Sequence, residues 1–287
     1  MKPVEIIMLA INASMFLVVF VFGTTAKLQN ITYLFRHPRL LVRAILSMNV
    51  IMLAFAVAVC LVFRPPTPIQ IALVGLAVSP VPPFLPSRQF KAGGTTRYTF
   101  GLLVAAALVA IPLAPLAVEI VGRLMGLSVH MPIAKVAAIM AISILIPLLA
   151  GVAFRHFFPD FAERIRRPAA LGANIVLALA CIPVLVIETP VFWTLVGNGV
   201  LLCLVGFTVV GLAVGHFLGG PVPDNRTALA LATGSRHPAI SLAIASINFP
   251  DEKAVIAVVV YHLIIGALVA TPYVIWRIRA DKAGHAT

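Results

Sequence analysis

The chain has 287 residues, 61% of them hydrophobic and only 10% charged, with a net charge of +12. A soluble domain is about half apolar and a quarter charged, so this composition excludes a soluble globular protein and gives a polytopic membrane protein. In that setting the basic excess follows the positive-inside rule rather than nucleic-acid binding, and the three cysteines, all in apolar segments, give neither a disulfide framework nor a metal site.

A bilayer crossing needs about 20 mostly apolar residues, and nine stretches supply them. In chain order they cover about 4–23, 38–63, 68–91, 96–122, 132–155, 165–187, 191–217, 224–248 and 252–276. The first has no small-residue cleavage site with a polar chain behind it, and reads as a retained span rather than a signal peptide. Helix breakers fill the connections, as in Arg64-Pro65-Pro66-Thr67-Pro68, Gly219-Gly220-Pro221-Val222-Pro223 and Phe249-Pro250-Asp251. With Arg88 and Arg236 set aside as lying within spans, 14 Lys and Arg fall on the side reached after the first span and 5 on the other. That asymmetry puts the N-terminus outside and the C-terminus in the cytoplasm, for a chain expected in the cell's inner (plasma) membrane. The Asn30-Ile31-Thr32 sequon then faces the cytoplasm, where glycosylation is not expected.

Most spans are ordinary. The seventh carries Gly211, Gly215 and Gly219 at four-residue spacing, which lets helices approach closely. The third and eighth differ. The third holds Pro80, Pro82, Pro83 and Pro86, which cannot all belong to a regular helix because each lacks an N–H and clashes with the preceding turn. The eighth holds Gly234 and Pro238 around Ser235-Arg236-His237. Backbone released at membrane depth must be satisfied by protein or water, so both breaks belong in a bundle interior or cavity. The two spans run in opposite directions, each is next to last in its half, and each carries a Ser-Arg pair: Ser87-Arg88 and Ser235-Arg236. Interrupted segments at matching positions of inverted halves mark a transporter's substrate site. Pairing the broken spans leaves the fifth without a partner. The fold class is thus an all-α membrane protein of nine transmembrane helices, an inverted-repeat transporter with two crossing broken helices.

Arg236 lies about 18 Å along its span at 1.5 Å per residue, near mid-membrane. A charge there is costly and marks function, or else caps freed carbonyls. Arg88 lies at the cytoplasmic edge of a straight helix, deeper if the Pro-rich break holds it. His237 either titrates during transport or hydrogen-bonds the broken backbone. No Ser-His-acid arrangement, metal-ligand spacing or phosphate loop appears, so an enzyme or an ATP-driven pump is not expected.

The stretches FRHPR (Phe35–Arg39), AVSPVPPFLPSRQFKAGG and ATGSRHPAISLAIA together resemble the bile acid:sodium symporter family, within the wider group that includes arsenite exporters. The resemblance implies a core bundle from 38–122 and 191–276, a panel from 4–23 and 132–187, and substrate in the cleft between them. It places Ser87 on the family's Ser and Gly234 on its Gly. Arg88 falls on an Asn, Ala232 on the sodium-binding Glu, Arg236 on a Gln and His237 on another Asn. Asn49 and Thr99 fall near sodium-ligand positions. None of the nine acidic residues lies at mid-membrane. The reading is a secondary transporter of a small organic anion, with Arg236 and Arg88 in place of the sodium sites and Ser235, His237, Thr233, Ser87 and Asn49 beside them. An alternative is a sodium symporter using Thr99, Asn49, Thr233 and Ser235. Another is a ligand-binding sensor or subunit that does not transport. No cofactor is expected, and sodium stays open. Partners are the lipid bilayer and the anion, with no nucleic acid and no oligomeric state assigned.

Overall fold

A computed structural model describes residues 3–83 and 85–284. The side chains of Ser87, Lys91 and Lys282, and all of Lys2, lie outside the described residues, so the candidate Ser87 and those three charges of the orientation tally have no structural account. The chain runs through α1 (Pro3–Thr25) and the short α2 (Leu28–Ile31) to α3 (Pro38–Ile45), which continues through a π-helical turn, Leu46–Ile51, into α4 (Met52–Phe63). Then follow α5 (Thr67–Val78), α6 (Leu85–Lys91), α7 (Thr96–Leu124) and α8 (Ile133–Met140), the last joined by a second π-helical turn to α9 (Ile146–Phe157). The remainder is α10 (Pro159–Val196), α11 (Val200–Leu218), α12 (Pro223–Gly234), α13 (Pro238–Asn248) and α14 (Ala254–Gly284), with no β-strand among the described residues.

Among the described residues, seven helical stretches are long and apolar enough to cross a membrane: Glu5–Gly23, Pro38–Phe63, Thr96–Leu124, Ile133–Phe157, Pro159–Val196, Val200–Leu218 and Ala254–Asp281. The protein is therefore a multi-pass, all-helical membrane protein. The other two expected spans are each two shorter helices, α5 with α6 and α12 with α13, no one of them long enough to cross alone. Among the described residues, the interruptions fall at 79–83 and 235–237. Pro80, Pro82 and Pro83 occupy the first, Pro86 opens α6, Gly234 ends α12 and Pro238 opens α13. Proline is tolerated at a first helical turn, where its missing N–H has no partner to lose.

One expected boundary moves. The sequence places a break at Glu188-Thr189-Pro190, but α10 runs through Pro168, Pro183 and Pro190 to Val196. The turn is instead Gly197-Asn198-Gly199, where Gly199 takes a left-handed φ of +80° that suits a residue without a Cβ.

Packing around the breaks is close. A Cβ on Gly211 would lie 2.8 Å from the Gly234 Cα, and one on Gly215 2.5 Å from the Ala230 Cα, so α11 lies backbone to backbone on α12. Helix α5 packs on α13, α6 on α12, and α14 on α5, α10, α11, α12 and α13. Helix α1 packs on α9 and α10. Two large apolar clusters flank the interruptions. One includes Met48, Leu85, Leu102 and Leu229; the other includes Met52, Leu73, Phe207 and Val258.

Candidate functional site

The two interruptions meet. The backbone N–H of His237 donates to the Pro80 carbonyl at 2.9 Å, joining them directly. On the first, Ser79 is extended (ψ 145°) and its hydroxyl donates back to the Gly75 carbonyl at 2.6 Å. On the second, Ser235 is extended, and the His237 Nδ1 accepts the Ala239 N–H at 3.1 Å, capping α13. An Nδ1 that accepts places the proton of the neutral ring on Nε2. That Nε2 is buried with no hydrogen-bond partner among the described residues.

Arg236 is the largest fully buried side chain among the described residues, at 0% exposure. Its Nη1 donates to the Ser79 carbonyl at 3.2 Å and its Nη2 to the Met48 carbonyl at 2.5 Å, while its Nε has no partner among the described residues. The guanidinium thus ties together the first break, the second break and the π-helical turn after α3. A π turn widens the backbone spiral and disturbs the usual i→i−4 ladder; here the Met48 carbonyl in that turn accepts from a side chain. Next to it, the Ser47 hydroxyl shares a 2.7 Å hydrogen bond with the buried Thr233 hydroxyl.

The residues singled out from the sequence divide into two groups. Thr233, Arg236 and His237 lie at the meeting of the breaks, with Ser235 half-buried beside them. The others lie elsewhere. The Arg88 Nη2 donates to the Ala267 carbonyl of α14 at 3.0 Å, so that guanidinium is anchored on α14. Asn49 is half-buried and lines a crevice with Leu34, Leu41, Ala44 and Leu102. Ser47 and the Met48 carbonyl, which the sequence did not single out, face Thr233 and Arg236 in its place. Thr99 is buried in α7, its hydroxyl without a partner among the described residues.

Two further polar residues escaped the sequence. Gln89 is buried and donates from Nε2 to the Ala228 carbonyl of α12 at 2.7 Å. His262 of α14 is 1% exposed, lies edge-on to Phe207 with ring centroids 5.4 Å apart, and has an Nδ1 without a partner among the described residues. His262 was visible as a polar residue in an apolar run, VVVYHLII; Gln89, in SRQFK, was masked by its polar neighbours.

The hydrogen-bond partners of Arg236 are both main-chain carbonyls. Eight of the nine acidic residues lie near helix ends or in the 249–253 connection, and Glu188 lies two turns from the end of α10. Among the described residues, no group of three His, Cys, Asp or Glu side chains is placed to hold a metal ion. Chemically the site offers a permanent cation, buried N–H donors and hydroxyls.

No curated protein matches the chain. The model of one protein family does, over residues 13–194, a stretch that includes the first interruption and ends before the second. With well over half of its length matched and the helical membrane architecture described above, the chain belongs to the sodium bile acid symporter family.

Proposed function

We propose that the protein is a secondary transporter of small organic anions in which Arg236 stands where a bound sodium ion would otherwise supply positive charge. One observation carries the reading: the guanidinium is fully buried and holds the Ser79 and Met48 carbonyls. Main-chain carbonyl oxygens are also what a hard cation would use as ligands. A tethered guanidinium satisfies them without leaving, so the positive charge stays through every transport cycle. The unpartnered Nε–H of Arg236 and Nε2–H of His237 add two buried donors. A buried donor with nothing to accept its proton costs about 1–3 kcal/mol, and a carboxylate or sulfonate supplies that acceptor.

In this reading the chain crosses the membrane nine times, α5–α6 and α12–α13 being the crossing halves of an inverted repeat. The core comprises 38–122 and 191–276, the panel 4–23 and 132–187. The packing of α1 on α9 and α10 supports that grouping. Substrate is exposed to alternate sides of the inner membrane as the panel moves against the core. The excess of Lys and Arg on one side supports an N-terminus outside and a cytoplasmic C-terminus.

The second reading, sodium-coupled symport, draws on Thr99, whose buried hydroxyl has no partner among the described residues and suits a cation ligand. Uptake by proteoliposomes separates the two. The panel consists of monovalent carboxylates and sulfonates, including a taurine-conjugated bile acid, each offered in sodium and in choline buffer. The proposal expects uptake that survives the swap to choline and is lost in Arg236→Ala, with Arg236→Lys retaining part of it. Uptake that stops in choline favours the sodium reading. Equal uptake by wild type and Arg236→Ala removes Arg236 from the mechanism.

A further inference from the structure

A fixed cation cannot itself be carried down a gradient, so a transporter built on Arg236 needs another coupling species. His237 is a poor carrier, because its Nδ1 and its backbone N–H are both committed to holding the two interruptions in place. His262 is not committed in that way. It sits in α14, buried to 1% exposure, with an Nδ1 that has no partner among the described residues. Its neighbours are those of the site. A Cβ built on Gly266, one turn further along α14, would come within 3.4 Å of the Thr208 hydroxyl, 3.8 Å of the His262 Cε1 and 4.0 Å of the Gly234 carbonyl at the end of α12. The His262 ring and the second interruption thus share one small volume. Phe207 of α11, set at 89° to the ring, fixes its plane without offering a hydrogen bond.

The charged surroundings are sparse. Helices α5 and α13, both packed on α14, carry no titratable residue. Helix α11 brings Cys203 and His216, α12 has Asp224 and Arg226 in its first turns, and the later half of α10 carries Cys181 and Glu188. One fixed charge borders this volume: Arg236 lies two residues beyond Gly234, whose carbonyl is 4.0 Å from the Gly266 Cβ position.

We propose that His262 is the proton-binding residue that couples organic-anion transport to proton movement, one proton travelling with each monovalent anion. The proposal rests on the transporter reading above. Alone, the Arg236 charge opposes a second positive charge at His262. An anion held beside Arg236 offsets that charge, so anion binding favours the proton. By the reciprocity of linked equilibria, the proton equally favours the anion. Proton and anion load together on one side and leave together on the other. No bond of the anion is made or broken, and the imidazole returns neutral. The moving charges, one positive and one negative, cancel, and Arg236 keeps its charge throughout. The cycle is therefore an electroneutral symport.

The test uses the whole protein in proteoliposomes, with the pH dye pyranine trapped inside and the membrane potential clamped by potassium and valinomycin. The substrate is whichever panel anion the wild type takes up. Wild type is expected to acidify the lumen in step with uptake, and its uptake rate is expected to hold when the clamped potential is changed. His262→Gln is expected to lose the acidification while still exchanging external for internal anion. Acidification that survives in His262→Gln overturns the proposal. So does wild-type uptake that moves no proton or responds to potential, a measurement that needs no variant. Failure of every panel anion to enter wild-type vesicles overturns the transporter reading itself, and is told apart by the absence of uptake.

Discussion

Ser47 and Thr233 are 186 positions apart and share a hydrogen bond between two buried hydroxyls. Ser47→Ala leaves the Thr233 hydroxyl buried and unpaired, and is expected to lower stability by about 1–3 kcal/mol. Thr233→Val on that background is expected to recover part of the loss, because removing both partners costs less than stranding one. Denaturant unfolding of the detergent-solubilised single and double variants measures the coupling; strictly additive losses would show that the pair is not joined. This pair also shows what was legible residue by residue. Thr233, Arg236 and His237 stood out because polar groups in an apolar run must be satisfied somewhere. Asn49 comes instead from the family resemblance, as a residue near a sodium-ligand position, and it lines a crevice. The π-helical turn at Leu46–Ile51 alters the helical phase there, and it is Ser47 of that turn that meets Thr233. A main-chain carbonyl such as that of Met48 carries no signal in residue type at all.

At the scale of elements, glycine spacing and proline clusters were informative because they act through backbone geometry. The four-residue glycine repeat of α11 lies against the backbone of α12. Gly215→Val is expected to push these helices apart at Ala230, lowering the melting temperature and disturbing the Arg236 site at the end of α12. Overpacking of this kind typically costs about 1–3 kcal/mol. A variant that melts with the wild type would show that the contact can relax freely. The expected boundary between the sixth and seventh spans, at 188–190, falls inside α10, which continues to Val196. There the Thr189 hydroxyl donates to the Leu185 carbonyl and also pairs with the Tyr261 hydroxyl at 2.5 Å, so the segment is held from within and from α14.

Across the whole molecule, the helices expected to form the panel meet those expected to form the core through few polar contacts. Besides the Thr189–Tyr261 bond, with Phe192 stacked on Tyr261 at 3.8 Å, the connection between α7 and α8 is pinned to the end of α13. The His130 N–H donates to the Asn248 Oδ1 at 2.7 Å, and the Asn248 Nδ2 donates to the His130 carbonyl at 2.9 Å. Asn248 lies just before α14 and Tyr261 two turns into it, so these contacts share one end of the bundle. If transport requires that end to open, bridging His130→Cys and Asn248→Cys with a short bis-thiosulfonate reagent, in a background free of Cys60, Cys181 and Cys203, is expected to arrest uptake. Reduction is expected to restore it. Undiminished uptake in the bridged protein would mean that this end stays shut throughout. Such pairings between distant connections were beyond the reach of the sequence, since nothing in residue type links His130 to Asn248.

Helix α10, with 38 residues, is about 57 Å long at 1.5 Å per residue, against a hydrocarbon layer of about 30 Å. Its first turns, with Asp160, Glu163, Arg164, Arg166 and Arg167, belong in water or among headgroups, yet the apolar remainder still exceeds the layer. A segment too long for its bilayer leans, bends or thickens the lipid around it, and Pro168, Pro183 and Pro190 give α10 places to bend. Its angle is then set partly by acyl-chain length. Because Thr189 and Phe192 meet Tyr261 near its far end, the thickness of the host membrane becomes a mechanical input to the contact that joins α10 to α14.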